Sequence, residues 1–224
     1  MTTKQTFDTP GPITAVLDFP AGRVRLVATD RADTTVEVRP ADAAKGRDVK
    51  AAERTVIEYA DGVLRIHTTE PGNRVLGASG SLEVTVGLPA GSRIEATTEA
   101  CELHGSGRLG DVAFEGAYRR IKIDEAATVR LTAVDGDVEV GRLGGPAEIS
   151  TARGDIRIGE AVAGTVVLRT QAGDVSVGAA PGVSATLDAG TGQGRIDNAL
   201  KNSGAPDLII HATTTRGDIV ARGN

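Results

Sequence analysis

The strongest constraint on the fold is an internal repeat in the last two-thirds of the chain. From residue 97 onward a segment of the form Gly-Asp-(Val/Ile)-x-(Val/Ile)-Gly recurs, with full copies at Gly136–Gly141, Gly154–Gly159 and Gly173–Gly178. Looser copies continue it, and the first apolar residue of each copy gives the series Leu103, Ile121, Val138, Ile156, Val175, Ile196 and Ile219. Neighbours in this first series are 17 to 23 residues apart. Such self-similarity is the signature of a repeat architecture.

A second series of apolar residues runs in phase with the first. Its members end short β-prone segments: Phe114, Leu131, Ile149, Leu168, Leu187 and Ile210. One unit cannot close a core alone, whereas stacking units ~4.8 Å apart pairs every strand in parallel and lines Val on Val and Ile on Ile. The sequence therefore predicts an all-β chain, a parallel β-solenoid (β-helix) with coils of about 18 residues. A sandwich of hairpins is the alternative, but hairpin sheets need no fixed period.

The first 96 residues are also β-rich but less regular. We interpret residues 1–96 as an N-terminal cap with the first irregular coils, and residues 97–224 as the regular repeats of one continuous domain. Asp61-Gly62 separates two alternating segments and predicts a hairpin turn. The segment Ala41–Arg54 could hold one short helix or be a charged loop. Such a cap would shield the first coil from adding strands of another chain.

Composition limits which residues can form the core and which classes of partner the protein can bind. Hydrophobic residues make up 40% of the chain but aromatic residues only 2%, so the core must be built from Val, Ile, Leu and Ala. The net charge is −5, and neither a basic patch nor stacking aromatics point to nucleic acid. The apolar run Ile13–Leu17 is too short for a signal peptide or a membrane span. A cytoplasmic location without direct membrane insertion is therefore expected.

Two segments and the repeats resemble a known family. Phe19–Leu26 is similar to the opening strand pair, and Val86–Ser92 to the V-x-L-P-x-G lead, of the bacterial putative-adhesin family of β-strand-repeat domains of unknown function. The Gly-Asp-Val-x-Val units complete the resemblance, which covers nearly the whole chain. It implies a solenoid of the kind often found in envelope-associated, membrane-anchored proteins, with no agreed activity.

Three aspartates at equivalent repeat positions are weak metal candidates. Asp137, Asp155 and Asp174 would stack as a row of carboxylates in a solenoid. Calcium binding of the nonapeptide-repeat kind needs Gly-Gly-x-Gly-x-Asp at every half-turn, and the second half-turn has no such Asp. An Asp after a corner glycine also hydrogen-bonds nearby backbone. Turn residues are the favoured interpretation, and no cofactor is expected.

A small group of polar residues near the cap supports a rival hypothesis. Tyr118, Arg119, Arg120, Cys101 and His104 could gather in a groove beside the first coils. They would then belong to an enzyme or ligand-binding protein acting on a small molecule or an acidic saccharide. Alternation along a strand places Cys101 and His104 on opposite faces, which disfavours a Cys–His nucleophile. Whether the chain has any enzymatic activity stays open.

The leading hypothesis is a non-enzymatic interaction or scaffold module. Repeat folds provide long surfaces, and this one would present a repetitive polar surface to a protein partner or to a second copy. The segment Thr213–Ala221 belongs to the last repeat, and only three residues follow it. If its edge is uncovered, it could pair with another copy in an end-to-end dimer.

Overall fold

The structure is almost entirely β. Within residues 2–69, 80–117 and 120–223, which the computed structural model describes, 17 strands form one continuous sheet and one short helix is present. The elements are β1 (Thr3–Asp8), β2 (Thr14–Thr29), β3 (Asp33–Pro40), α1 (Gly46–Glu53), β4 (Thr55–Ala60), β5 (Val63–Thr68), β6 (Ser81–Pro89), β7 (Arg93–Ala117), β8 (Ile121–Asp135), β9 (Val138–Leu143), β10 (Ala147–Arg153), β11 (Ile156–Ala161), β12 (Gly164–Ala172), β13 (Val175–Ala179), β14 (Ala185–Gln193), β15 (Ile196–Ala199), β16 (Leu208–Arg216) and β17 (Ile219–Gly223). The predicted all-β class is confirmed.

Alternation explains why these segments are strands. In β13, Val175 and Val177 are buried while Ser176 between them is partly exposed, and the same pattern recurs along the chain. Successive strand side chains point to opposite faces, so one apolar row faces inward. One continuous hydrophobic core results. The predicted boundary between residues 96 and 97 falls inside β7, which runs through it.

The N-terminal region adds antiparallel strands to a parallel stack. β2 lies between β6 and β7, because Val24 pairs with Val84 on one side and with Leu103 on the other. β3 then pairs antiparallel with β6, and β1 with β3. β4 and β5 form a hairpin whose turn is Asp61–Gly62, with φ of 50° and 75°. Of the two alternatives for Ala41–Arg54, the structure shows the helix.

The central strands stack in parallel as the first series predicts. Leu103, Ile121, Val138, Ile156 and Val175 are paired in that order, and all are buried. Their side chains form one aliphatic column through the stack. The strands therefore wind in a solenoid-like manner, with successive coils directly above each other.

The last two coils are stacked in the reverse of their chain order. Ile219 of β17 pairs with Val175 on one side and with Ile196 on the other. β16 likewise lies between β12 and β14. The final coil is thus inserted between its two predecessors. The prediction that Thr213–Ala221 leaves an uncovered edge is wrong, since this segment is covered on both sides.

The hydrophobic effect accounts for this inversion. β16 and β17 bury five apolar side chains: Leu208, Ile210, Ala212, Ile219 and Ala221. β14 and β15 contain fewer apolar residues than β16 and β17, and Gly190 and Gly192 lie within β14. An internal coil is covered on two sides and an end coil on one. Placing the more apolar coil inside therefore removes more apolar surface from water.

The second series holds as far as Leu168 and then shifts by two residues. Leu168 pairs with Ala212, whereas Ile210 and Leu187 stack in the row of Val166. The prediction for the last two members of this series is therefore wrong in register. Both rows are apolar, so either register would line hydrophobic side chains, and periodicity alone could not separate them.

Candidate functional site

The Gly-Asp corners form a hydrogen-bonded ladder along the stack. The backbone N–H of Asp155 donates to Oδ1 of Asp137 (3.0 Å), and the N–H of Asp174 donates to Oδ1 of Asp155 (2.8 Å). Asp218 donates in the same way to Asp174, and Arg195 to Asp218, each at 2.8 Å. We call Asp137, Asp155, Asp174 and Asp218 the Asp ladder. The residues of the Asp ladder follow the order in which the coils are stacked. Each carboxylate accepts a hydrogen bond from a backbone N–H of the next coil in the stack.

Buried threonines complete the corners from the other side. The hydroxyl of Thr170 donates to the carbonyl of Gly154, and that of Thr214 to the carbonyl of Gly173, each at 3.0 Å. In these two coils the motif is Thr-x-x-Gly-Asp, in which the Thr contacts the corner of the adjacent coil, whereas Thr151 donates to the carbonyl of Arg153 in its own coil. Among the described residues, no group of three or more His, Cys, Asp or Glu is placed to hold a metal ion.

Removing one carboxylate of the Asp ladder should weaken the stack measurably. Asp174→Ala leaves the N–H of Asp218 without its acceptor, and we expect a loss of about 1–2 kcal/mol in the free energy of unfolding. Asp174→Asn keeps an acceptor oxygen, so it should lose about half as much. Urea denaturation of both variants provides the measurement. Equal stability of Asp174→Ala and the unmodified chain would contradict a structural role for the ladder.

Cys101 and His104 lie on opposite faces of β7. Cys101 is fully buried and its thiol donates to the backbone carbonyl of Glu102 (3.3 Å). Burial raises the pKa of the Cys101 thiol to about 12. His104 is exposed, and Arg120 forms a surface ion pair with Glu139 (3.4 Å). The structure therefore does not bring these three side chains into one site.

The two remaining candidates of the rival hypothesis, Tyr118 and Arg119, lie outside the described residues. Two further arginines near strand ends form ion pairs on the surface. Arg153 pairs with Asp135 (2.8 Å) and Arg169 with Glu148 (3.3 Å). Both pairs join neighbouring coils rather than facing a common groove.

The buried thiol of Cys101 should be inert in the native protein. At pH 8 it stays protonated, because its pKa lies about four units higher, and only the thiolate is a good nucleophile. We expect less than about 5% labelling by iodoacetamide under native conditions and complete labelling in urea. Intact mass measures both. Rapid native labelling would show that Cys101 is accessible.

A groove of about 400 Å³ opens beside the corners of β2 and β7. Phe19 and Thr98 contribute to its walls, and three carboxylates also line it, namely Asp18, Glu99 and Glu115. Cys101, His104 and Arg120 do not. The sequence predicted a groove beside the first coils but with other lining residues, because the walls of this groove come from separate segments. The carboxylates would repel an acidic saccharide.

Outward side chains on one face stack into a row of mixed charge. The members are paired in the order Lys122, Glu139, Arg157, Ser176, Val220 and Asp197, one per coil, and we call them the outer row. Lys122 lies 3.4 Å from Glu139, and all six side chains are at least partly exposed. The spacing between neighbours is that of paired strands, ~4.8 Å.

The stack ends in an uncovered coil. β14 and β15, which we call the open end, pair among the described strands only with β16 and β17. The apolar column ends there: Ile196 is 46% exposed, whereas Ile219 on the next coil is fully buried. Leu187 and Ala189 are likewise only partly buried. The open end thus presents both a strand edge and the cross-section of the core.

A family model matches this architecture along nearly its whole length. The model described as Toastrack DUF4097 matches residues 16–223. The chain belongs to the Toastrack DUF4097 family. This confirms the relationship to a family of domains of unknown function that the repeats indicate. No protein with a curated description matches this Toastrack chain.

Several solved structures are similar to this chain at low sequence identity. A "putative adhesin" from Bacteroides fragilis is 13% identical, covers 99% of this chain and 97% of its own, and has a TM-score of 0.57. A "putative adhesin" from Parabacteroides distasonis is 12% identical, with 98% and 97% coverage and a TM-score of 0.43. A "putative lipid binding protein" from the same species is 13% identical, with 98% and 96% coverage and a TM-score of 0.44. The likeness to the Bacteroides protein shows a common fold.

The described part of the Toastrack chain has no membrane-spanning helix. No helix among residues 2–69, 80–117 and 120–223 is long and apolar enough to cross a membrane. The helix α1 has eight residues, and its Asp48 is buried, accepting the backbone N–H of Ser81 at 3.0 Å. The helix is therefore tied to β6, at the N-terminal side of the stack.

Proposed function

We propose that this Toastrack chain is a non-enzymatic interaction module, a scaffold that presents the outer row to a protein partner. The observation that carries the proposal is the outer row itself, in which one side chain per coil is held in register. The proposal takes the stack as a parallel β-solenoid with coils of about 18 residues, supported by the pairing of Val138 with Ile156 and of Ile156 with Val175.

The energetics of the outer row suit binding. Exposed ion pairs contribute about 0–1 kcal/mol each, so a partner can replace them at low cost. A backbone held in a stacked sheet does not need to be ordered on binding, which removes one of the main entropic penalties. Charges of both signs at fixed positions favour a partner with the complementary pattern and reject others.

Site-directed capture tests this proposal. A photo-crosslinking residue at Ser176, in the centre of the outer row, should capture a defined partner in cells that naturally contain the protein. Arg157→Glu should reduce that capture about tenfold or more. Arg169→Glu is the control, because it also removes one exposed ion pair but lies on β12. Equal capture by both variants, or no captured protein, would refute the proposal.

The groove supports a second candidate function, ligand binding by the corners of β2 and β7. Its volume of about 400 Å³ fits a small molecule, and the carboxylates of Asp18, Glu99 and Glu115 favour a neutral or cationic ligand. Screening a library of such compounds by thermal shift would test it. A hit must lose its effect in the variant in which all three carboxylates become amides.

Location and partner class remain parts of the proposal. A cytoplasmic location follows from the sequence-based expectation alone, and fractionation of cells expressing the tagged chain would test it. Recovery of the chain with the envelope fraction after washing with high salt would contradict it. The partner is expected to be a protein, since the alternating outer row lacks the uniform positive charge that nucleic acid requires.

A further inference from the structure

The open end exposes two adjacent surfaces, a strand edge and the cross-section of the hydrophobic core. The backbone edge of β14 and β15 has no partner strand among the described residues. Beside it, the cross-section of the core is exposed at Ile196, Leu187 and Ala189. An extended peptide added to β14 would cover the edge but would leave the core cross-section in water. The occupant must therefore be about as broad as a coil.

The sequence of the open end lacks three common protections against strand pairing, although Asp188, Arg195 and Asp197 are charged. Exposed edges are normally blunted by lysine, proline or a bulge. Residues 185–199 contain neither lysine nor proline, and the pairing of β14 with β16 shows no register shift. Three glycines lie in this stretch, Gly190, Gly192 and Gly194. The N–H of Ala185 already donates to the carbonyl of Lys201 (3.0 Å), so the stretch of β14 open to another strand begins at Leu187.

We propose that the open end binds the open end of a second copy through a two-fold axis, with β14 antiparallel to its mate. This goes beyond the proposed role of the outer row by naming a partner at one end of the stack. The identical open end is as broad as the surface to be covered. A two-fold contact also closes after two subunits, so that it yields a dimer and no filament.

Charge and side-chain size select the register. If Ala189 lies on the two-fold axis, each Asp188 faces Gly190 of the other copy, and each Leu187 faces Thr191. This arrangement keeps the two Asp188 carboxylates apart, whereas a register centred on Asp188 would set them against each other. Asp188 is well exposed and contacts His211 at 3.2 Å. The open end has no net charge, because the two acidic residues Asp188 and Asp197 are balanced by Arg195 and Lys201.

Two variants at Gly190 test this register. A side chain at Gly190 meets no heavy atom within 4 Å and the residue has no positive φ, so substitution leaves the monomer unstrained. Gly190→Glu places a carboxylate opposite Asp188 of the second copy, and the dimer should weaken about tenfold or more, since the contact occurs twice. Gly190→Lys places an ammonium there, and the dimer should be as tight or tighter.

Sedimentation equilibrium of the purified chain gives the result. We expect a dimer with the opposite responses of Gly190→Glu and Gly190→Lys. A monomer up to 0.5 mM, or equal dimerisation of all three proteins, overturns this inference. Neither outcome affects the outer row, which is tested through Arg157. Conversely, unchanged capture by Arg157→Glu together with the expected dimer would refute the outer row as a binding surface and leave the dimer standing.

Discussion

Replacing Gly217 by alanine should lower the free energy of unfolding by about 3–4 kcal/mol. Gly217 forms the corner of the inserted coil with φ of 146°, a conformation that L-residues rarely adopt. A Cβ atom there would lie 2.0 Å from the carbonyl oxygen of Gly173 and 2.9 Å from Oδ1 of Asp174. The backbone of the next corner would have to move, and the Asp ladder with it.

Gly204→Ala provides a matched control for that substitution. Gly204 has the same φ of 146°, but a Cβ there meets no heavy atom within 4 Å. It should therefore show the backbone strain alone, about 1–2 kcal/mol. The difference between the two variants, measured by urea denaturation, gives the cost of separating two stacked corners. If both variants lose the same stability, the close stacking of Gly217 on Gly173 is wrong.

Truncating Ile219 should be far more costly than truncating Ile196. Ile219 is fully buried between Val175 and Ile196, so Ile219→Ala should destabilise the chain by about 3–4 kcal/mol. Ile196 occupies the same column but is 46% exposed at the open end. Ile196→Ala should cost about 1 kcal/mol, because little apolar surface and no internal cavity is at stake.

Which of these two variants loses more stability depends on the order in which the coils are stacked. Winding in chain order would bury Ile196 between Val175 and Ile219 and would leave Ile219 at the end. The larger loss of stability would then belong to Ile196→Ala. Chemical denaturation of both variants distinguishes the two orders, because each residue loses the same three heavy atoms.

Much of the architecture could be read from the sequence because local patterns encode it. Alternation marks the strands, and the period of the first series places Ile121, Val138, Ile156 and Val175 over each other. The separation of Cys101 from His104 follows from the same alternation. These features depend only on residues within one coil or on equivalent residues of adjacent coils.

The order of the last coils could not be read in this way. It depends on which coil buries more apolar surface, and that comparison involves residues far apart in the chain. One signal was nevertheless present: Arg195 stands where the four corners of the Asp ladder have Asp. Asp218 accepts the N–H of Arg195, and no described coil beyond Arg195 requires an acceptor. A corner without Asp therefore marks the end of the ladder.

The same principle applies at both ends of the molecule. β2, in the first coil, lies between β6 and β7, and the final coil lies between its two predecessors. β2 and the final coil are thus internal and paired on two sides, whereas β1 pairs only with β3 among the described strands. Terminal strands otherwise fray first, so the inserted order protects the last coil from unwinding. The lining of the groove and the position of the open end were not predicted, since both arise from non-sequential neighbours.

Disulfide trapping tests the inserted order most directly. Ser176 and Val220 are directly paired and point outward, whereas Ser176 and Asp197 are separated by one intervening coil. Cysteines at 176 and 220 should form a disulfide on mild oxidation, since paired strands lie ~4.8 Å apart, and cysteines at 176 and 197 should not, at roughly twice that distance. Cys101 is buried and should not take part in disulfide exchange in the native protein. Formation of the 176–197 disulfide without the 176–220 disulfide would show that the coils follow chain order.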